Sequence, residues 1–262
     1  MPAVEVTAHW SAAGLYMLDA LLAGAGISFG RARWLTIGLG LLALGAFMHA
    51  TALVARWIEQ GHAPYLGRYE AFSSHALVVT IFFLVLQFRI PMLRPASMIV
   101  APAVFLLLGI ALLSPSAPTY PSPAMDSPWL AIHVSVAKLA LATALASGTA
   151  SLMGLRRGSS PAPEELARRL LGYVFFLMSV VILSGAEWAN AAWGSYWSWD
   201  PVETWSLAFW AGCAFVLHLR TTGGWDGARW NIASVSLTIL GIASFFGYGH
   251  FGLSAHAAYL AP

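Results

Sequence analysis

The sequence has 262 residues, of which 59% are hydrophobic and only 9% are charged, and its mean hydropathy is +0.72. Soluble domains carry far more charge, so this composition excludes an ordinary soluble protein. The net charge of +2 comes without a basic run interleaved with aromatic residues, so no nucleic-acid partner is indicated. The one cysteine, Cys213, excludes an internal disulfide and a Cys-x-x-Cys redox pair.

Apolar runs of about 20 residues recur along the chain, and this is the length that a helix needs to cross ~30 Å of hydrocarbon. We therefore predict an all-α polytopic membrane protein with about eight transmembrane helices, forming a single domain over residues 1–262. The predicted spans are about 11–30, 33–57, 69–88, 95–113, 129–155, 168–187, 203–221 and 230–249.

Basic residues concentrate on alternate connections between these spans. Ten of the thirteen fall on one side, namely Arg31, Arg33, Arg89, Arg94, Arg156, Arg157, Arg168, Arg169, Arg220 and Arg229. By the positive-inside rule this side is cytoplasmic, so we expect both termini and the connection between spans 6 and 7 to lie outside. The outside is the extracytoplasmic face of a bacterial cytoplasmic membrane, or the lumen of a thylakoid.

A Trp-rich segment, residues 188–210, contains the connection between spans 6 and 7. Its aromatic residues are Trp188, Trp193, Tyr196, Trp197, Trp199, Trp205, Phe209 and Trp210. The central part is too polar, and too broken by Gly194 and Pro201, to cross a bilayer. An aromatic shelf of this kind suits a large, flat, apolar ligand. Asp200 and Glu203 either cap the seventh helix or act on a partner by steering or proton relay.

The eight histidines separate by their placement along the chain. His9 and His62 fall in outer loops or at span ends, where we expect solvated side chains. His49 lies inside span 2, and His218 lies near the inner end of span 7. Ionisable residues inside membrane helices are candidate functional groups, so these two are either metal ligands or histidines hydrogen-bonded to a neighbouring helix.

Two further histidines share the outer face with the Trp-rich segment. His133 opens span 5, and His256 lies in the C-terminal tail, where His250 is a rival to it. Two neutral imidazoles that approach a flat macrocycle from opposite sides satisfy six-coordinate haem iron. This arrangement makes haem a candidate ligand of the outer face.

The sequence WGSYWSWDPVETW, residues 193–205, resembles the tryptophan-rich WWD signature of haem-handling proteins of cytochrome c biogenesis. Its WDPVETW half, followed by an apolar span that ends in HLR, is most similar to the system II family called CcsA or ResC. The segments 55–72, 127–138 and 252–259 are similar to that family's segment between spans 2 and 3 and to its two outer histidine segments. The tail segment departs from the family pattern by two extra residues before His256.

The resemblance implies two sites for haem b, iron protoporphyrin IX. One site would use His49 and His218 as a transmembrane ligand pair, and the other would use His133 and His256 on the outer face. The Trp-rich segment would hold the outer haem through Trp193, Tyr196, Trp197, Trp199, Asp200 and Trp205. The cations available to the haem propionates are Arg56 and Arg68, together with Lys138.

The resemblance also implies a function. The chain would be the haem-binding and haem-exporting membrane subunit of a cytochrome c synthase, presenting haem for thioether bonding to an apocytochrome c Cys-x-x-Cys-His motif. Membrane lipid, the apocytochrome and a separate CcsB- or ResB-like membrane protein are the expected partners, and whether the chain itself is an enzyme stays open. The alternatives are a HemX-like protein that modulates tetrapyrrole synthesis, a CcmC-like haem-delivery protein, and a transporter whose tryptophans form an interface belt.

Overall fold

A computed structural model describes residues 3–118, 121–156 and 161–246, and within these ranges the chain forms helices and no strands. The α-helices in these ranges are α1 (Ala3–Ser28), α2 (Ala32–Gln60), α3 (Gly67–Arg89), α4 (Ser97–Leu113), α5 (Pro128–Gly154), α6 (Ala162–Trp193), α7 (Pro201–Thr221) and α8 (Gly227–Phe246). A 3₁₀ helix, Pro91–Ala96, leads into α4.

All eight helices, α4 together with its 3₁₀ turn, are long and apolar enough to cross a membrane. A helix satisfies every backbone polar group within its own segment, which is the condition for crossing lipid. The predicted polytopic all-α membrane protein is therefore confirmed. The described chain divides into two compact units, the first containing α1 to α4 and the second containing α5 to α8. The predicted single domain over 1–262 stays a prediction.

In the first unit, small residues let α1 approach α2 closely. A Cβ at Gly45 would lie 2.7 Å from the ring of Tyr16, and one at Gly38 would lie 2.5 Å from the carboxylate of Asp19. Without a hydrophobic driving force between helices in lipid, such close packing of small residues contributes much of the association. It also carries the polar side chains of α1 into the interior of the unit.

The second unit is built around the small residues of α5. A Cβ at Gly148 would lie 2.5 Å from Thr238 of α8, and one at Gly241 would lie 2.7 Å from Phe209 of α7. The buried core of this unit combines alanines of α5 with larger side chains of α6, α7 and α8, including Trp230. The close contact of α5 and α6 sets the beginning of α5 beside the last turns of α6.

Two helix ends differ from the predicted spans. The first helix begins at Ala3 rather than near residue 11, so His9 lies within it and is 0% exposed. The prediction of a solvated His9 is therefore wrong. The sixth helix continues to Trp193 rather than 187, so between α6 and α7 only residues 194–200 lie outside helices. Most of the Trp-rich segment is thus helical.

Candidate functional site

The short loop at residues 194–200 is fixed at both ends by local backbone chemistry. Gly194 ends α6 with a φ of 77°, a left-handed conformation that suits a residue without a Cβ. Asp200 caps α7 by accepting a hydrogen bond of 2.8 Å from the Val202 amide, and Pro201 occupies the first helical position. Glu203 completes the capping box by accepting from the Asp200 amide at 3.1 Å. The capping interpretation of the two acids is confirmed.

Glu203 does more than cap the helix. Its carboxylate also accepts a hydrogen bond of 2.8 Å from the Ser198 amide, and the residue is 9% exposed. Trp199, between these bonds, has a φ of 61°, which among the described residues other than glycine is the one positive value. The loop conformation is therefore held from inside by one buried carboxylate.

His133, on the first turns of α5, is oriented by α6. Its Nδ1 lies 2.9 Å from the carbonyl oxygen of Val181. Because a carbonyl only accepts, Nδ1 carries the hydrogen, and in the neutral ring the lone pair lies on Nε2. The ring stacks against Trp188 at 6.4 Å and 24°. Gly185 makes room for it, since a Cβ there would lie 2.8 Å from two ring atoms.

The aromatic residues extend from His133 towards the loop. Trp193 packs edge-on against Trp188 at 5.2 Å, and the Trp188 indole donates a hydrogen bond of 2.8 Å to the Ala124 carbonyl. In the loop, Trp197 and Trp199 are perpendicular at 5.7 Å. Trp199 is 68% exposed, so part of this aromatic cluster lies on the surface of the protein.

A cavity of about 370 Å³, open solvent included, brings together three of the predicted outer-site residues, His133, Tyr196 and Trp197. The other predicted contacts of this site, Trp193, Trp199, Asp200 and Trp205, do not line it. Its wall includes His133 of α5, Tyr196 and Trp197 of the loop and Glu203 of α7, with small residues such as Gly185 of α6 on another side. An imidazole with an oriented Nε2 lone pair beside aromatic rings fits a flat apolar ligand that carries a metal. Trp205 is half-buried in α7, within the same unit.

The other predicted metal ligands have different surroundings. His49 is fully buried in the first unit, with Nδ1 3.1 Å from the Tyr16 hydroxyl and Nε2 2.9 Å from Ser73 Oγ. His218 belongs to the second unit, in the last turn of α7, where it is exposed with Nε2 3.0 Å from the hydroxyl of Thr222. Across the described ranges, no group of three or more His, Cys, Asp or Glu side chains is arranged to hold a metal ion. His250 and His256 lie outside the described residues.

The cations predicted for the propionates lie in different environments. Arg56 is buried and pairs with Glu70 at 2.7 Å and Glu5 at 3.7 Å. Arg68 is exposed, and both arginines line an open cavity of about 360 Å³ in the first unit. Lys138 is 8% exposed in α5.

Sequence reasoning missed the two glutamates around Arg56 because they are far from each other in the chain. Glu5 is distant in sequence from Glu70. One signal for a buried polar cluster was available, because Glu5 precedes a histidine by four residues, which is about one helical turn. His62, whose side chain is 11% exposed, lies 3.9 Å from Glu70, so the prediction that it is a solvated side chain is also wrong.

Comparison with known proteins identifies the family. The family model "Cytochrome C assembly protein" matches residues 65–250. The cytochrome c biogenesis protein CcsA of Chlamydomonas reinhardtii is 34% identical over 195 residues, which cover 68% of this chain and 55% of that protein. The CcsA of Synechococcus sp. (strain CC9311) is 31% identical over 267 residues, which cover 83% of this chain and 86% of that protein.

Among solved structures, cytochrome c heme lyase CcmF superposes with a TM-score of 0.73 at 16% identity, over 97% of this chain and 47% of that one. This likeness concerns the fold. The chain spans about half the length of CcmF and of the algal relative, and most of the length of the cyanobacterial relative. The chain therefore belongs to the cytochrome c assembly protein family, as a CcsA-type integral membrane protein of cytochrome c biogenesis.

Proposed function

We propose that this chain binds haem as its substrate, carries it to the outer face of the membrane, and holds it there for covalent attachment to apocytochrome c. The observation that carries the proposal is the oriented imidazole of His133 in the same cavity as Tyr196 and Trp197. Membership of the cytochrome c assembly protein family supports a role in cytochrome c biogenesis. The cavity supports a flat, apolar ligand that carries a metal.

In the proposed outer site, the protein supplies an axial ligand, an aromatic surface and a rigid loop. His133 offers Nε2 to the iron while the Val181 carbonyl holds the opposite ring nitrogen, a common arrangement for metal-bound histidine. His256 is the proposed second ligand, and His250 is its alternative. Trp193, Tyr196, Trp197, Trp199 and Trp205, with Asp200 beside them, are the proposed haem contacts.

Haem supplies the vinyl groups to which two thiols add when a c-type cytochrome matures. Cys213 is fully buried in α7 and is a single thiol, so both thiols would belong to the apocytochrome. A separate CcsB- or ResB-like membrane protein is the proposed partner in the synthase. His49 and His218 are the proposed ligands of a second haem on the way to the outer face, and Arg56 and Arg68 are proposed to face propionates.

Haem quantification on the purified chain tests this proposal. We expect a low-spin bis-histidine absorption spectrum, and His133→Ala should abolish or strongly reduce the outer-site component. The matched control is His75→Ala, which changes another half-buried histidine with no proposed ligand role. An unchanged spectrum in His133→Ala contradicts the outer site. Haem binding without apocytochrome maturation, even with the partner present, would favour a HemX-like or delivery role.

Sidedness is proposed from the distribution of arginines, and the buried native cysteine makes it testable. Cys213 is 0% exposed, so a cysteine introduced at Trp199 in the loop is the main target for a membrane-impermeant thiol reagent. We propose that the loop and both termini are extracytoplasmic, so Trp199→Cys should label in intact spheroplasts. Asp226→Cys, between α7 and α8, should label only after lysis. The opposite pattern contradicts the proposed orientation.

A further inference from the structure

Four arginines lie at one end of the first unit, where α1 turns into α2 and where α3 turns into α4. This arginine cluster consists of Arg31, Arg33, Arg89 and Arg94. The two connections meet in space, because the 3₁₀ helix Pro91–Ala96 contacts both α1 and α2. The guanidinium of Arg94 donates a hydrogen bond of 3.4 Å to the hydroxyl of Thr36, which lies about one turn after Arg33 on α2. Both connections therefore present their positive charge at the same end of the unit.

The first unit provides no acid to neutralise the arginine cluster. Its acidic residues in the described ranges are Glu5, Asp19, Glu59 and Glu70. Three of them lie at the opposite ends of α1, α2 and α3, and Asp19 is 1% exposed inside α1. Among the described residues, no carboxylate forms an ion pair with any of the four arginines. Since arginine stays protonated in proteins, the cluster keeps its positive charge uncompensated.

Three arginines of the second unit, by contrast, are neutralised within the protein. Arg168 and Arg169 both pair with Glu165 at 2.8 Å, and Arg220 pairs with Glu164 at 2.9 Å. The positive-inside rule accounts for arginines at such helix ends in either unit, but it does not require them to stay unpaired. Unpaired arginines in one unit and paired arginines in the other favour an anionic partner from outside the chain.

Aromatic residues beside the arginine cluster are typical of the level of lipid headgroups. Phe29 is 69% exposed and packs edge-on against the half-buried Trp34 at a centroid distance of 5.9 Å. This pair flanks Arg31 and Arg33 in the same connection. Tryptophan is enriched where a ring lies between hydrocarbon and water. The partner that this end of the unit meets first is therefore the membrane surface.

We propose that the arginine cluster binds the headgroup of an anionic phospholipid in the leaflet that this end of the first unit contacts. A phosphodiester offers acceptor oxygens that match the paired donors of a guanidinium, a contact that lysine cannot reproduce. Arg94 has a donor to spare, since its Nε–H has no acceptor among the described residues. The lipid ties the two connections together and neutralises both. This inference goes beyond the proposed function and does not depend on haem.

Native mass spectrometry of the purified full chain in detergent tests the proposal. Dioleoyl phosphatidylglycerol is the anionic probe, and dioleoyl phosphatidylcholine is the neutral one. The attraction of one arginine to an anionic membrane surface corresponds to roughly fivefold in affinity. We therefore expect the double variant Arg33→Gln with Arg94→Gln to bind phosphatidylglycerol roughly 25-fold more weakly and phosphatidylcholine as before. Equal affinity of the wild-type chain for the two lipids overturns the proposal.

The matched control is the double variant Arg168→Gln with Arg169→Gln. It removes the same amount of charge, but from arginines that already pair with Glu165. The control should lose much less affinity for phosphatidylglycerol than the variant of the arginine cluster. An equal loss in the two double variants means that net charge alone attracts the lipid, and the proposal is then overturned.

Two further measurements keep the test decisive if the glutamine variant misfolds. Arg33→Lys with Arg94→Lys keeps the charge and should bind phosphatidylglycerol more tightly than the glutamine variant, and equally weak binding overturns the proposal. Binding to the wild-type chain should weaken as the ammonium acetate concentration rises, because salt screens exposed charges, and binding that ignores salt also overturns it. Inorganic phosphate separates the two sources of a phosphate group. If equimolar phosphate displaces phosphatidylglycerol, the cluster takes the free anion and the assignment to a lipid fails.

Discussion

Gly185→Ala is the smallest change that should damage the proposed outer site. The added Cβ would lie 2.8 Å from Cε1 and Nδ1 of the His133 ring, whereas ordinary contact begins at 3.4 Å. The ring must therefore retreat by about 0.6 Å or more, since 3.4 − 2.8 = 0.6. Gly185 and Val181 lie one turn apart on α6, so the retreat carries the ring away from the Val181 carbonyl as well.

The consequences can be estimated from that displacement. The hydrogen bond of 2.9 Å between Nδ1 and the Val181 oxygen stretches towards about 3.5 Å, beyond the usual range. Losing such a bond costs about 1 kcal/mol, and overpacking typically costs about 1–3 kcal/mol. A ligand misoriented at a cost of about 1.4 kcal/mol binds tenfold more weakly, so we expect roughly a tenfold loss of outer-site haem affinity.

Haem titration of the purified variant, followed by its absorption spectrum, measures this loss. The matched control is Gly172→Ala, on the same helix, where an added Cβ meets nothing within 4 Å. A Gly→Ala change inside a helix stabilises by about 0.5–1 kcal/mol where the new Cβ meets no neighbour, so the control should bind haem normally and unfold at a slightly higher temperature. Identical haem affinities for the two alanine variants would refute the assignment of His133 as an outer ligand held against α6.

Three further predictions concern what holds each unit together, and thermal unfolding in detergent measures all of them. Glu203→Ala should lower the free energy of unfolding by about 1–3 kcal/mol, because two amides at the loop lose their buried acceptor. This loss of free energy should be larger than the loss in Glu203→Gln, and equal losses would contradict the prediction. Gly148→Val should destabilise by at least about 1–3 kcal/mol through overpacking against α8, and Gly109→Val, with open space around it, should not. Arg56→Ala should cost about 3–5 kcal/mol by leaving buried carboxylates unpaired. Arg68→Ala, at an exposed position, should change the free energy of unfolding by less than about 0.5 kcal/mol, and equal effects of the two arginine changes would contradict this account.

The number and type of helices could be predicted because lipid leaves the backbone few choices. A segment that crosses hydrocarbon must satisfy its own amides and carbonyls, so each long apolar run indicates a helix. The same reasoning cannot place helix ends, because the requirement that a segment satisfy its own backbone polar groups holds only inside the hydrocarbon. Trp188 and Trp193 were expected in a connection, and they lie in the last turns of α6. What ends the helix is Gly194, through its left-handed backbone.

The proposed outer site was more accessible to sequence reasoning than the interior of the first unit. The sequence places a histidine and several aromatic residues on one predicted face, and the side chains of His133, Tyr196 and Trp197 line one cavity. Their arrangement depends on helices that follow one another in the chain. The role of Glu203 as the acceptor for the loop could be anticipated in part, since an acid three residues after Asp200 is the pattern of a capping box.

The position of His9 shows what sequence patterns leave out. A histidine near the end of an apolar run is consistent with the membrane interface, where it is solvated, and with the interior, where it needs partners. The deciding groups are Ser73 and Tyr69, which are 64 and 60 residues away on α3. The cost of an unpaired buried polar group makes the two partners a condition for burying His9 at all. Burial of His9 and its pairing with α3 are therefore one event. Replacing either α3 hydroxyl should therefore weaken the docking of α1, which a lower midpoint of thermal unfolding in detergent would measure.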